Sequence, residues 1–236
     1  MGEEELTAVV LAAGVGRRLG GPNKVWRELD GRPLWWWSLK AFFGVAGAAV
    51  LVVESGRLDE ARRLLEVWGS EVPWAVDVCP GGSERWESSR AGVSRVKTAY
   101  CAIHDAARPL VAPALVARVW AAARRTGAAV PVVAPADTIK VVDGGRVVGT
   151  VARARAGLAQ TPQIFRTDWI RLALREADGS VTDDAELLER RGFPVAAVAG
   201  DPDNRKITVA EDWLWLEQRW RLRREGGATD ARGSGV

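Results

Sequence analysis

The sequence predicts an α/β protein: a mostly parallel sheet flanked by helices, with a protruding β-hairpin arm. Apolar, β-branched runs recur along the chain, helix-patterned stretches separate them, and the runs exit into glycine, hydroxyl, carboxylate or arginine. That alternation is the signature of βαβ units around a parallel sheet. In such sheets ligands bind beyond the carboxyl ends of the strands. The 236 residues, 47% apolar and 27% charged, suit one soluble domain over residues 1–225.

The first strand, "TAVVLAA" from Thr7, runs into "GVGRRLGGPNK", where four glycines, a proline and three cations fall between Gly14 and Lys24. It is not a dinucleotide fingerprint, because Leu19 stands where the third glycine belongs. Nor is it a Walker loop, because Gly21 is followed by Pro22 and Asn23. Glycines let the backbone curl with its N–H groups inward, a concavity that suits anions, and Arg17, Arg18 and Lys24 would ring it with positive charge. A glycine-rich strand-to-helix turn with solvated arginines explains the loop alone equally well.

Next come a helix at "RPLWWWSLKAFF", a strand at "AAVLVVE", a helix at "DEARRLLEVW" and a strand at "WAVDVC". The Trp35–Trp37 helix cannot bury every face, so at least one of these indoles belongs at an edge or interface. The "WAVDVC" strand exits into "PGGSERWESS". Gly81 and Gly82 allow close backbone approach there, and Ser83 or Glu84 opens a helix with Arg85 and Ser88 on one face. A plain N-cap accounts for the serine as well. The strand "YCAIHD" delivers "HDAARP", in which Asp105 and Arg108 read as functional groups or as a local ion pair. His104 is the only histidine and reads as a hydrogen-bonded spacer; alone it anchors neither a metal cluster nor a serine triad.

The helix "APALVARVWAAARR" and the strand "AAVPVVAP" follow, and then "DTIKVVDGGRVVGTVARAR" changes character. Alternating apolar residues around "DGGR" predict a two-stranded arm over residues 138–155. An isolated hairpin is unstable in water, so the arm must pack on something, and a partner subunit is the economical choice. "AQTPQIF", "VTDDAELL" and "DNRKIT" add polar segments, and "PVAAVAG" predicts the last strand. "RWRLRR" reads as the solvated end of a helix, and the glycine-rich residues 226–236 as a disordered tail.

A net charge of +3 is weak evidence for nucleic acid, and no nucleic-acid partner is expected. No apolar run approaches the roughly 18 residues of a membrane span, and "MGEEEL" has the wrong sign for a signal peptide, so the expectation is a cytoplasmic protein without a membrane partner. Cys79 and Cys101 lack metal-ligand spacing and read as buried, reduced thiols. Of the 33 basic residues only Lys24, Lys40, Lys97, Lys140 and Lys206 are lysine, a hint that a retained lysine marks a place for a compact ammonium. Lys40 and Lys97 have no evident job.

Taken in order, "LAAGVGRRLGGPNK", "GGSERWESS", "IHDAARP", "DTIK", "QTPQIF", "TDDAELLE" and "NRKIT" resemble the motif series of the 2-C-methyl-D-erythritol 4-phosphate cytidylyltransferases of non-mevalonate isoprenoid synthesis. The resemblance spans Thr7 to Trp220. It implies a Rossmann-like sheet of the nucleotide-diphospho-sugar transferase type that dimerises through the β-arm. It also implies transfer of CMP from CTP to a polyol phosphate, with release of pyrophosphate and with Mg2+ carried mainly by the CTP phosphates rather than by protein ligands. By resemblance, Ala12, Ala13, Gly14, Gly16, Gly81, Gly82 and Ser88 bind the nucleotide. Arg18, Lys24, Arg153 and Lys206 are the catalytic cations, with Arg153 reaching over from the partner's arm. Asp105, Arg108, Thr138, Thr161 and Thr182 bind the acceptor.

This chain departs from the family in "PNKV", in Ser88-Ser89 and in "RARAGL", where Arg155 rivals Arg153. Ribitol 5-phosphate is the alternative acceptor. A non-catalytic nucleotide-binding module is the alternative class, although a pure binder has no need of transition-state cations.

Overall fold

The computed structural model describes residues 5–14 and 23–230, with side chains to residue 225. Gly16, Arg17 and Arg18 of the glycine loop therefore lie outside the described residues. In chain order the strands are β1 (Leu6–Ala12), the short β2 (Glu28–Leu29) and β3 (Arg32–Pro33), β4 (Ala48–Val53), β5 (Val76–Pro80), β6 (Tyr100–Asp105), β7 (Ala128–Val133), β8 (Lys140–Asp143), β9 (Arg146–Thr150), β10 (Leu158–Ala159), β11 (Gln163–Arg166) and β12 (Ala196–Ala199). The helices are α1 (Leu34–Lys40), α2 (Leu58–Val67), α3 (Arg85–Arg95), α4 (Pro113–Thr126), α5 (Thr167–Leu174), α6 (Asp184–Glu189) and α7 (Ala210–Asp230).

One sheet runs β5, β4, β1, β6, β11, β7, and β10 and β12 also pair with β7. β1 lies between β4 and β6 in parallel register, and β5 and β12 are parallel to their neighbours too; β10 and β11 alone run antiparallel to theirs. The register sets Ala12 against Val53, Val53 against Pro80, and Leu11 against Asp105. Four strands thus end on one edge, where the sequence had gathered its polar exits.

Both faces of the sheet are covered, which is why the central strands read as continuous apolar runs. Along β1, Leu6, Ala8, Val10 and Ala12 join one core with Trp35, Leu39, Ala61, Val116 and Val119 from α1, α2 and α4. The alternate Val9 and Ala13 join another with Val93, Ile170 and Leu188 from α3, α5 and α6. A third cluster packs Trp213 and Leu216 of α7 on Leu29 and Leu34. Local signals agree with this placement: α4 opens with Pro113 in its first turn and stops at Gly127, whose φ of 89° suits only glycine.

Of the three adjacent indoles, Trp35 and Trp36 are fully buried. Trp37 takes the edge, donating to the Leu29 carbonyl at 2.8 Å and lying 4.4 Å from the Trp220 ring. The arm is present as β8 and β9, joined through Gly144 and Gly145 at φ 52° and 75°, the left-handed pair that a tight hairpin turn requires. Its Val142, Val147 and Val148 stand more than 60% exposed on this chain.

The backbone of residues 226–230, where the sequence leads one to expect a disordered tail, continues α7 to Asp230. The polar segments "QTPQIF" and "TDDAELL" build β11 and α6, elements too short for periodicity to announce.

Candidate functional site

A cavity of about 460 Å³ opens at the carboxyl edge of the sheet, lined among the described residues by the exits of β1 and β6, the start of α3, Lys24, and the segment that carries Lys206 and Thr208. One wall is built on close approach. A Cβ on Gly81 would stand 2.3 Å from Ala13 Cβ and 2.7 Å from Ser88 Oγ, so only glycine lets the β5 exit lie against the β1 exit. The Gly81 N–H is tied to the Val53 carbonyl at 2.8 Å. Ser88, buried on α3, accepts from the Gly82 N–H at 3.2 Å. Glu84 is the N-cap of α3, and Glu87 closes the turn by accepting from the Ser83 and Glu84 N–H groups at 2.7 and 3.1 Å. Those bonds, the one from Glu84 first, hold the Glu87 carboxyl below the usual carboxylate range.

The opposite wall is a charge cluster centred on Asp105, the last residue of β6. Its Oδ1 accepts from Arg85 Nε at 3.1 Å, its Oδ2 lies 2.8 Å from Lys206 Nζ, and Arg108 Nε stands 3.9 Å away. Burial on its own would raise the Asp105 carboxyl, but Arg85, Lys206 and Arg108 outweigh it and hold the group far below the usual range. Asp105 is therefore ionised at neutral pH.

Arg85 also reaches Asp184, the buried first residue of α6, at 2.7 Å from Nη1 to Oδ2. Burial would lower the Arg85 guanidinium, yet Asp184 and Asp105 together raise it. Arg108 is turned the other way, with Nη1 donating to the Asn204 carbonyl at 2.7 Å, and burial lowers it. The local-pair reading of Asp105 and Arg108 is thus the weaker part of the picture; Arg85 and Lys206 hold the shorter contacts.

Beneath Asp105 lies a buried polar layer. Thr161 Oγ1 accepts from the Asp105 N–H at 3.1 Å and sits 2.9 Å from His104 Nδ1, while His104 Nε2 lies 3.3 Å from the Arg108 carbonyl. The network is satisfied when the Thr161 hydroxyl donates to Nδ1 and Nε2–H donates to the carbonyl. Burial pushes His104 down to about 4, so it is neutral at pH 7 and serves as the spacer the sequence suggested. Asn204, fully buried, donates to the Thr161 carbonyl at 2.7 Å, and the Ile207 N–H bonds the Ala107 carbonyl at 2.8 Å. These bonds aim Lys206, between Asn204 and Ile207, at Asp105.

The structure brings Ala13, Gly14, Lys24, Gly82, Ser88, Asp105 and Lys206 into the cavity lining. Gly81 abuts two of them, Ala13 and Ser88, and Ala12 ends β1 just before Ala13. Thr138, Arg153 and Arg155 are exposed near the two ends of the arm, outside the lining of this chain's cavity, and Thr182 is exposed with its N–H and Oγ1 both on Glu186 Oε2 at 2.9 Å. Sequence reasoning named Arg85 without giving it a role, and missed Asp184 and Asn204. The doubled aspartate of "TDDAELL" and the asparagine of "DNRKIT" were the available signals. Among the described residues, no group of three or more histidine, cysteine or carboxylate side chains is placed to hold a metal ion. Asp105 is already committed to cations. An ammonium, two guanidiniums and backbone N–H groups around one ionised carboxylate suit phosphorylated ligands.

A family model described as 2-C-methyl-D-erythritol 4-phosphate cytidylyltransferase matches residues 6–219. A protein of that name from Cereibacter sphaeroides is 39% identical over 220 residues, covering 89% of this chain and 95% of the relative. One from Rhodococcus opacus is 40% identical over 225 residues, covering 89% and 93%. The crystal structure of 2-C-methyl-D-erythritol 4-phosphate cytidylyltransferase from Thermus thermophilus is similar at a TM-score of 0.71 and 32% identity, covering 90% and 98%.

Proposed function

Because this chain belongs to the 2-C-methyl-D-erythritol 4-phosphate cytidylyltransferase family, we propose that its cavity holds CTP against 2-C-methyl-D-erythritol 4-phosphate and transfers CMP between them. A phosphate oxygen of the acceptor bonds to the α-phosphorus of CTP, the bond from that phosphorus to the bridging oxygen breaks, and pyrophosphate leaves with the electron pair. The product is a precursor for isoprenoid synthesis. The observation that supports this most is the Arg85–Asp105–Lys206 cluster, set in the same cavity as Lys24 and the Gly81–Ser88 wall.

The chain's residues divide the work. Ala12, Ala13, Gly14, Gly16, Gly81, Gly82 and Ser88 take the nucleotide through close backbone approach. Arg18 and Lys24 neutralise charge that builds on the bridging oxygen as pyrophosphate leaves. Asp105, with Arg108, Thr138 and Thr182, receives the acceptor, and Lys206 and Arg153 steady its phosphate against the triphosphate. Thr161 acts through Asp105, since its hydroxyl already serves the Asp105 N–H and His104. No general base is required, because the acceptor phosphate is ionised at neutral pH. Magnesium, when bound with the CTP, would supply further charge neutralisation.

We also propose a C2 homodimer in which the arms embrace, burying the exposed valines of β8 and β9 and carrying Arg153 to the partner's acceptor pocket. Among the described residues no helix is long and apolar enough to cross a membrane. Cys79 and Cys101 are buried free thiols, pushed up to about 11 and about 12 by burial and so kept unreactive; we infer a cytoplasmic setting from the family reading. The test is pyrophosphate release from CTP with methylerythritol phosphate and with ribitol 5-phosphate in parallel. Preference for the former is expected; preference for the latter would move the chain to a different acceptor.

A further inference from the structure

Lys24 follows the glycine loop in sequence and lies in a single 3-10 turn formed by Lys24–Trp26, and a one-turn element has little stiffness of its own. Its neighbour Asn23 is 7% exposed and commits its side-chain amide to three different parts of the chain. Oδ1 accepts from the Val25 N–H at 3.2 Å, capping the turn. Nδ2 donates to the Ala12 carbonyl, at the end of β1, at 3.4 Å. Nδ2 also donates to Oε1 of Glu54, the residue that follows β4.

Capping needs only the oxygen. The amide nitrogen is the unexplained half, and both of its contacts lead to strand exits at the carboxyl edge. A second observation points the same way. Glu54 opens the 3-10 turn Ser55–Arg57, and the Arg57 guanidinium lies 4.7 Å from the Trp26 ring centroid, so the two turns are joined at both ends. Beyond that, Val25 is buried in the core and Trp26 meets Trp35 edge-on at 5.8 Å.

We propose that Asn23 and Glu54 are positioning residues, a latch that fixes the Lys24 turn to the β1 and β4 exits so that the Lys24 ammonium meets the triphosphate without reorganisation. Neither residue lines the cavity among the described residues, so both act through Lys24. The inference rests on the cytidylyltransferase reading, in which Lys24 is a catalytic cation. Asparagine is singular at this position. Aspartate keeps the cap but loses both donors, glutamine overshoots, and a carboxylate at 54 makes the latch charge-assisted and hence stronger than an amide pair.

The test exchanges the two groups. Asn23→Asp keeps the acceptor for Val25 but turns carboxylate toward carboxylate, and turnover should fall about 100-fold, the scale set by misplacing a catalytic group by about 1 Å. Asn23→Asp combined with Glu54→Gln restores a donor and an acceptor, reversed, at the same total charge. It should recover turnover to within about tenfold of wild type. Glu54→Ala, which leaves the cap intact, should lower kcat about tenfold with KM for CTP and the melting temperature little changed. Asn23→Asp or Glu54→Ala turning over like wild type would overturn the latch, as would a folded double variant no faster than Asn23→Asp. Absence of pyrophosphate release from CTP by the wild-type protein would instead overturn the functional reading.

Discussion

Asp105 Oδ2 lies 2.8 Å from Lys206 Nζ, so this cavity-lining cation is paired and aimed by the protein itself. A lysine held by a buried carboxylate loses little freedom when a phosphate arrives, and the carboxylate keeps the pocket from being a pure anion trap. Arg85 on the other oxygen of Asp105 fixes the direction of that pair.

Replacing Asp105 by asparagine should therefore cost stability as well as activity, about 3 kcal/mol, because three cations lose a buried partner. The pH dependence carries a sign. The folded value of Asp105 is depressed, so its stabilisation is fully present above the ordinary carboxylate range near 4 and is lost as pH falls below it. Thermal melts should show a wide gap between wild type and Asp105→Asn at pH 7 that narrows toward pH 3. A gap that stays constant would remove the ion cluster from the stability argument.

Lys24→Ala should depress kcat by about 100-fold, or about 3 kcal/mol of barrier, while CTP affinity changes far less. Lys24→Arg should also be slow, since a planar fork does not replace a compact ammonium. Steady-state kinetics with CTP varied, alongside direct measurement of CTP binding, separates this from a plain binding role: equal losses in both would mark Lys24 as a binder.

Gly81→Ala should be costly despite its size. The added methyl group meets Ala13 Cβ at 2.3 Å and Ser88 Oγ at 2.7 Å, neither at the end of a flexible side chain, and such overpacking costs about 1–3 kcal/mol. A lowered melting temperature together with a raised KM for CTP is the expected pair of readings. A variant with unchanged KM would take the Gly81 approach out of nucleotide recognition.

Lys24→Ala and Arg153→Ala proteins, each nearly inactive, should complement after mixed refolding. In the proposed dimer, half of randomly paired molecules are mixed and one of their two sites is intact, so about a quarter of wild-type activity should return. Mixed dimers without recovery would exclude Arg153 from the partner's site and make Arg155 the next residue to substitute.

Much of this was legible because the chemistry sits at strand ends, and strand ends are where β-branched runs stop. "YCAIHD" is β6 to the residue, and its last member is Asp105. "DGGR" announced the arm because both turn glycines need positive φ. The clamp of Arg85 on Asp184 was not legible, because it joins α3 to α6 across about a hundred residues of sequence, and nothing local in "DDAELL" says which aspartate will be buried. Thr161 was read as an acceptor contact; that its hydroxyl lies under Asp105 depends on β11 running antiparallel beside β6, a placement no periodicity conveys. The latch was hidden for a similar reason, since Glu54 looks like any acidic residue after a strand.

The two walls of the cavity also differ in when they are made. β1, β4, β5 and α3, which carry the Gly81–Ser88 wall, have all been synthesised by Arg95. The Asp105 wall closes only when Asp184, Asn204 and Lys206 arrive to meet Arg85, Thr161 and Asp105. At about 5–20 residues per second, ribosomal synthesis leaves an interval on the order of ten seconds between the halves. Through that interval Arg85 and Asp105 have each other but not their remaining partners, so the cavity's two walls are completed one after the other rather than together.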